Sequence, residues 1–269
     1  MKSNVLLMGE IGSGKTRSLL TLLPEFSDPH TGQVLKGAGL ETFVIAMEPG
    51  YEAVFGSNGC EQGLHVHYIA PAVVSWGTIR KYVGLLSQKS LDEVLKMTDP
   101  GKAQYTQFME VFNCCADFKC DTCGRSFGDI SEWDATRAIC LDGLTSLSSV
   151  AMHAVVGGKP IRTFPEYGAC MEFIEAFFKL YWGNTKCTAV CLAHIDREKN
   201  PTSGLSTVTV HTWGQKLAPR LVKIPDEVII AQHEDGHYTW STLDSDMVLK
   251  RRRLPESPDL KPTFVQLFT

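Results

Sequence analysis

Eight residues near the start of the chain, GEIGSGKT from Gly9 to Thr16, have the spacing G-x-x-x-x-G-K-[ST]. Gly9, Gly12 and Gly14 allow the backbone to curve, so that N–H groups of the turn, Ser13 included, face the oxygens of a phosphate at a positive helix end. Lys15 would reach the β and γ phosphates of a nucleotide, and the hydroxyl of Thr16 would hold Mg2+. Such an ion also needs a carboxylate at the end of a neighbouring strand. RAICLDGLTSL supplies Asp142 directly after the apolar run Ala138 to Leu141, although an aspartate before GLTSL can also cap a helix. Gly143 follows, where many phosphate-loop enzymes carry the glutamate that polarises water, so that group must come from elsewhere. Glu48, closing the run FVIAMEPG, is the candidate to orient water onto the γ phosphate, its alternative being a solvated loop position. His194, at the end of CTAVCLAHID, would sense the γ phosphate or serve as an ordinary structural histidine.

These residues need strands that end side by side. Short apolar runs at Asn4 to Met8, Thr42 to Met47, His65 to Ile69, Arg137 to Leu141, Cys187 to Ala193 and Glu227 to Gln232 alternate with helical patterns. The helical stretches follow Gly14, cover Trp76 to Leu86 and Gly101 to Phe112, and recur at Leu147 to Val155 and Tyr167 to Tyr181. That alternation predicts an α/β fold with a mostly parallel twisted sheet and helices on both faces. DEVIIAQHEDGHYTWST adds an antiparallel hairpin turning at Asp235-Gly236. Without an internal repeat or interdomain linker, the 269 residues read as one domain with a cysteine-containing insert at about 113–130.

A net charge of −4 gives no global basic field, so any nucleic-acid contact must be local. Nine cysteines with neither a signal peptide nor a membrane-length apolar run point to a reducing cytoplasm and no membrane partner. In the insert FNCCADFKCDTCGRSFGD, Cys120-x-x-Cys123-Gly is half of a zinc knuckle. Cys114 or Cys115 is the candidate further ligand and His153 a distant one; the alternative is a set of buried free thiols. Cys140, Cys187 and Cys191 fall inside apolar runs and read as core.

The order GEIGSGKT, Glu48, Asp142, His194, late hairpin and LKRRR resembles the RecA-like P-loop ATPases over nearly the whole chain. In particular it resembles the bacteriophage AAA-type nucleotide-binding family that includes phage single-strand annealing proteins. The resemblance implies ATP and Mg2+ as cofactors and catalysis through Lys15, Glu48, Asp142 and His194. It also implies assembly into a ring or filament, with Lys250 or Arg252 reaching a neighbour's site as a finger; the alternative for this basic run is a solvated face. Two loops of such proteins contact single-stranded DNA. Here they correspond to VVGGKPIRTFPEYG, with Lys159 and Arg162, and to DREKNPTSGLSTVTVHTWGQK, with Arg197, Lys199 and Lys216. The expected role is phage-type recombination, annealing or replication in the host cytoplasm, alongside phage or host recombination and replication proteins. A small-molecule phosphotransferase and a protein-directed assembly or packaging ATPase are the competing readings.

Overall fold

The computed structural model describes residues 2–27, 31–55, 59–71, 76–90, 93, 101–157, 162–199, 206–213, 216–244 and 249–269. In chain order the strands are β1 (Asn4–Gly9), β2 (Glu25–Ser27), β3 (Val34–Lys36), β4 (Glu41–Ala46), β5 (Leu64–Tyr68), β6 (Arg137–Asp142), β7 (Thr188–Lys199), β8 (Ser206–Val210), β9 (Glu227–Glu234) and β10 (His237–Ser241). The α-helices are α1 (Lys15–Ser18), α2 (Tyr51–Phe55), α3 (Trp76–Leu86), α4 (Gly101–Ala116), α5 (Leu144–Val156), α6 (Phe164–Gly183) and α7 (Ala218–Leu221). All six apolar runs read from the sequence are strands.

The main sheet has the order β10-β9-β1-β7-β6-β4-β5, with β8 paired to β7. Every neighbouring pair from β9 to β5 is parallel. The β9-β10 hairpin is antiparallel, and its turn places Asp235 at φ 50° and Gly236 at φ 80°, the left-handed values that an Asp-Gly pair tolerates.

Alternation along each strand sends side chains to two cores. On one face Leu6, Met8, Phe43, Ile45, Ile139 and Leu141 pack with apolar residues of α4, α5 and α6. On the other, Val5, Leu7, Val44, Ala46, Cys140 and Leu192 pack with Leu19, Leu22, Phe55, Trp240, Phe264 and Leu267. Helices thus lie on both faces, but unequally: the second face is covered by short α1 and α2, the 3-10 turn Leu19–Leu22 and the C-terminal segment. Pro24 explains the brevity after the phosphate loop. It drives Leu23 to an extended ψ of 163°, so no helix can run on.

One sequence expectation needs correction here. The segment after His194 does not leave the sheet at once: β7 continues to Lys199 and pairs in antiparallel register with β8, Ile195 opposite Val210 and Lys199 opposite Ser206. The β-branched alternation of STVTV buries Val208 and Val210 and supplies the partner that a free loop would lack. The cysteine insert packs on the sheet, with Lys119 bridged to Ser126 and Phe118 and Trp133 buried against Phe43.

Candidate functional site

Strands β1, β6 and β4 end almost level with one another, where β7 continues past them. Register sets Gly9 opposite His194 and Ala46 opposite Asp142, so the tips of β1, β6 and β4 converge with His194 of β7 at one mouth of the sheet. This is where open α/β sheets bind their ligands.

The turn after β1 has Gly12 at φ 80° and Gly14 at φ 82°. Gly14 serves a second purpose, because a Cβ there would lie 3.0 Å from Cδ1 of Tyr238, whose ring packs on the loop and stacks on His233 at 4.1 Å. The Lys15 ammonium is buried in the cleft and donates to the carbonyls of Gly9 (2.9 Å) and Glu10 (2.7 Å). Burial lowers its pKa, opposed by the charges of Asp142, Glu48 and Glu10. Because α1 spans four residues, an anion here would be held by the N–H groups and lysine of the loop more than by a helix dipole.

Thr16 Oγ1 donates to Asp142 Oδ2 at 2.9 Å. Burial pushes the Asp142 carboxyl up to about 6, with the Thr16 hydrogen bond opposing it and the Glu48 charge adding to it. A buried carboxylate beside a hydroxyl is the hard-oxygen donor set that suits Mg2+, and a cation would relieve the burial that raises Asp142. These residues fit the ion.

Glu48 lies 3.0 Å from His194, Oε2 to Nε2, and accepts a bond from Ser146 at 3.4 Å. The histidine bond holds the Glu48 carboxyl below the usual carboxylate range, outweighing its burial. An ionised carboxylate only accepts, so Nε2 of His194 carries the proton. Gly143 makes this arrangement possible. It sits at φ 127°, and a Cβ there would come within 3.0 Å of Met47 Cβ and 3.3 Å of Glu48 Cγ.

The cleft has a volume of about 1090 Å³ and runs from the phosphate loop past Glu48, Asp142 and His194 to a wall that includes Leu35, Pro262 and Val265. That wall was not legible in the sequence. The C-terminal segment reaches it because Leu260 pairs with Trp240 and Phe264 N donates to Thr21 Oγ1 at 2.9 Å, contacts that no local motif announces. Tyr238 was missed for the same reason.

Other predicted residues lie apart from this cluster. Lys250 donates to the carbonyl of Lys223 at 3.0 Å, and Arg252 pairs with Asp226 at 3.1 Å, beside the first residue of β9 and so at the opposite end of the sheet from their own phosphate loop. Arg197 pairs with Glu10 of that loop at 3.0 Å. Arg162 lies over the ring of Trp213 at 3.9 Å, which joins the two segments read as DNA loops. Lys216 is exposed, Lys199 ends β7, and Lys159 lies outside the described residues.

The zinc reading changes in membership. Cys114 is buried in the core and is not among the grouped ligand atoms; Cys120 and Cys123 are joined instead by Cys60 and His65, whose ligand atoms all lie within 4.8 Å of one another. Helical spacing turns Cys114 inward with Val111, whereas the 3-10 turn Gly59–Gln62 carries Cys60 and the start of β5 carries His65 to the knuckle. The signal was a C-x-x-x-x-H spacing, 55 residues upstream of the C-x-x-C pair.

No helix among the described residues is long and apolar enough to cross a membrane. No protein-family model matches the chain, and no curated protein does. Among solved structures the chain is similar to the assembled ATPase EscN of the enteropathogenic E. coli type III secretion system, at 13% identity and a TM-score of 0.37, over 86% of this chain and 43% of that one.

Proposed function

We propose that the chain is a Mg2+-dependent ATPase with a RecA-like core that assembles with its own copies and binds single-stranded DNA. The observation that carries the catalytic part is the convergence of Lys15, the Thr16–Asp142 pair and the Glu48–His194 pair at one mouth of the sheet. Thr16 and Asp142 would hold Mg2+, which supplies charge neutralisation on the phosphates. Lys15 turns from the loop carbonyls to the phosphate oxygens. Glu48, kept ionised, accepts a hydrogen bond from water and aims it at the γ phosphorus. His194 holds that carboxylate in place, and its position in β7 links the phosphate site to the β7–β8 ribbon. The apolar wall at Leu35, Pro262 and Val265 suits a flat heterocycle, and its chemistry favours no particular base.

DNA binding is supported by the Arg162–Trp213 stack and by the exposed ring of Phe164, two residues along the chain from Arg162, a cation and aromatics of the kind that hold phosphates and bases. Arg252, exposed at the far end of the sheet, would act in a neighbouring subunit's site, the geometry that head-to-tail assembly requires.

The test is the steady-state ATPase rate of the purified chain with and without a long single-stranded oligonucleotide, over a range of protein concentration. A rate that rises with DNA and more than linearly with protein is expected. A rate indifferent to both would remove DNA-coupled assembly and favour a phosphotransferase or a protein-directed ATPase.

A further inference from the structure

At the far edge of the sheet, four strands from the phosphate loop, the cysteine insert folds back onto β5. It forms a tight turn: Cys120 N donates to the carbonyl of Arg125 at 3.0 Å and Gly124 N to that of Cys120 at 2.9 Å, with Gly124 at φ 69°. The turn presents the sulfurs of Cys120 and Cys123 on one side. Opposite them stand Cys60, from the 3-10 turn Gly59–Gln62, and His65, the second residue of β5.

Cys60 Sγ lies 3.6 Å from Cys120 Sγ, and Cys123 Sγ lies 3.8 Å from His65 Nδ1. An ion held tetrahedrally at about 2.3 Å from each sulfur separates them by about 3.7 Å, so these are edge lengths of a zinc tetrahedron, not of a disulfide. The remaining shell is present as well. Nε2 of His65 faces Glu41 Oε1 at 3.5 Å, while Glu41 Oε2 accepts from Arg137 Nε at 2.9 Å, which orients the imidazole with Nδ1 toward the sulfurs. Backbone N–H groups of Cys123, Val66 and Thr122 are directed at the Cys120 sulfur.

We propose that Cys60, His65, Cys120 and Cys123 form a closed structural zinc site that clamps the insert over the open edge of β5. With four protein ligands there is no position left for water, so the ion has no hydrolytic role. The edge it guards is otherwise ready to pair with another strand. Asp121, between the two ligand cysteines, donates its N–H to the carbonyl of Val66 at 2.9 Å and accepts the N–H of Tyr68 at 2.7 Å, so the insert takes up the edge's own hydrogen-bonding groups.

The test is metal content of the full chain purified under reducing conditions, measured by mass spectrometry of the elements, followed by exchange with Co2+. One zinc per chain is expected, and the cobalt form should show the intense visible bands of a tetrahedral thiolate site. Cys123→Ser, at the exposed ligand, and Cys60→Ser should lose the ion, while Cys114→Ser keeps it. Should the variants aggregate, the wild-type cobalt spectrum still decides. Metal-free protein that develops no thiolate–cobalt bands overturns the proposal. So does a Cys60–Cys120 disulfide in the intact mass of reductant-free protein, or metal lost from Cys114→Ser with Cys123→Ser unaffected.

Discussion

Glu48 and His194 reach one another from strands that are not neighbours, since β6 lies between β4 and β7. Their bond therefore passes over the tip that carries Asp142. Replacing Glu48 by Gln keeps the shape of that contact but removes the group that draws a proton toward itself, so nucleotide binding should persist while turnover falls by about 10²- to 10⁴-fold. Equilibrium nucleotide titration with single-turnover hydrolysis checks both halves; unchanged turnover would remove Glu48 from the chemistry. The same carboxylate carries a pH signature. Its folded pKa lies below the unfolded one, so the stability it contributes is fully present above about pH 4.3 and is lost as pH falls through the lower folded value. The stability difference between wild type and Glu48→Gln, from denaturant titrations, should shrink as pH falls below about 4.3. Gly143→Ala meets a second constraint at this spot. Positive φ and the approach to Met47 and Glu48 should cost about 1–3 kcal/mol and lower turnover by displacing Glu48, seen as a lower denaturation midpoint. Glu48, Asp142 and His194 were legible because a polar residue ending an apolar run has few other places to be. Tyr238, Cys60 and His65 were not, because their roles depend on which strands become neighbours.

At the scale of elements, the segment beyond His194 shows where composition misleads. Its charged residues Asp196 to Lys199 read as the start of a loop, yet the alternating STVTV farther on provides an antiparallel partner and extends the strand through them. Pairing over a distance overrode local polarity. The Arg162–Trp213 stack then ties this ribbon to the start of α6, where Thr163 N donates to Glu166 Oε2 at 2.7 Å and sets the first turn. If the two segments hold a single strand together, Lys159→Ala with Arg162→Ala should weaken binding and reduce the log–log salt slope by about 1.4, two phosphate contacts at roughly 0.7 each. Fluorescence anisotropy across salt concentrations measures both; an unchanged slope would move the DNA path elsewhere.

For the whole molecule the decisive feature is polarity. The phosphate loop opens at one end of the sheet, while Arg252 and Asp226 sit at the other. If Arg252 is a finger, its distance from its own site requires subunits to stack mouth to base, which yields a prediction by mixture. Glu48→Gln chains keep the finger and Arg252→Ala chains keep the base, so each should be nearly inactive alone. Combined, they should recover part of the wild-type ATPase rate, since some interfaces join an intact site to an intact finger. Failure to complement, with both variants assembled, would rule out Arg252 as a group acting in trans.

β7 itself has a mechanical consequence. From His194 to Lys199 it runs without a break, braced by β8, a reach of about 17 Å at roughly 3.3 Å per residue. A braced ribbon is a lever. Were Glu48 to release His194 during the proposed turnover, a tilt at the root would be passed along the paired strands toward the tip, a surface far from the phosphate site, with no break in the strand between them.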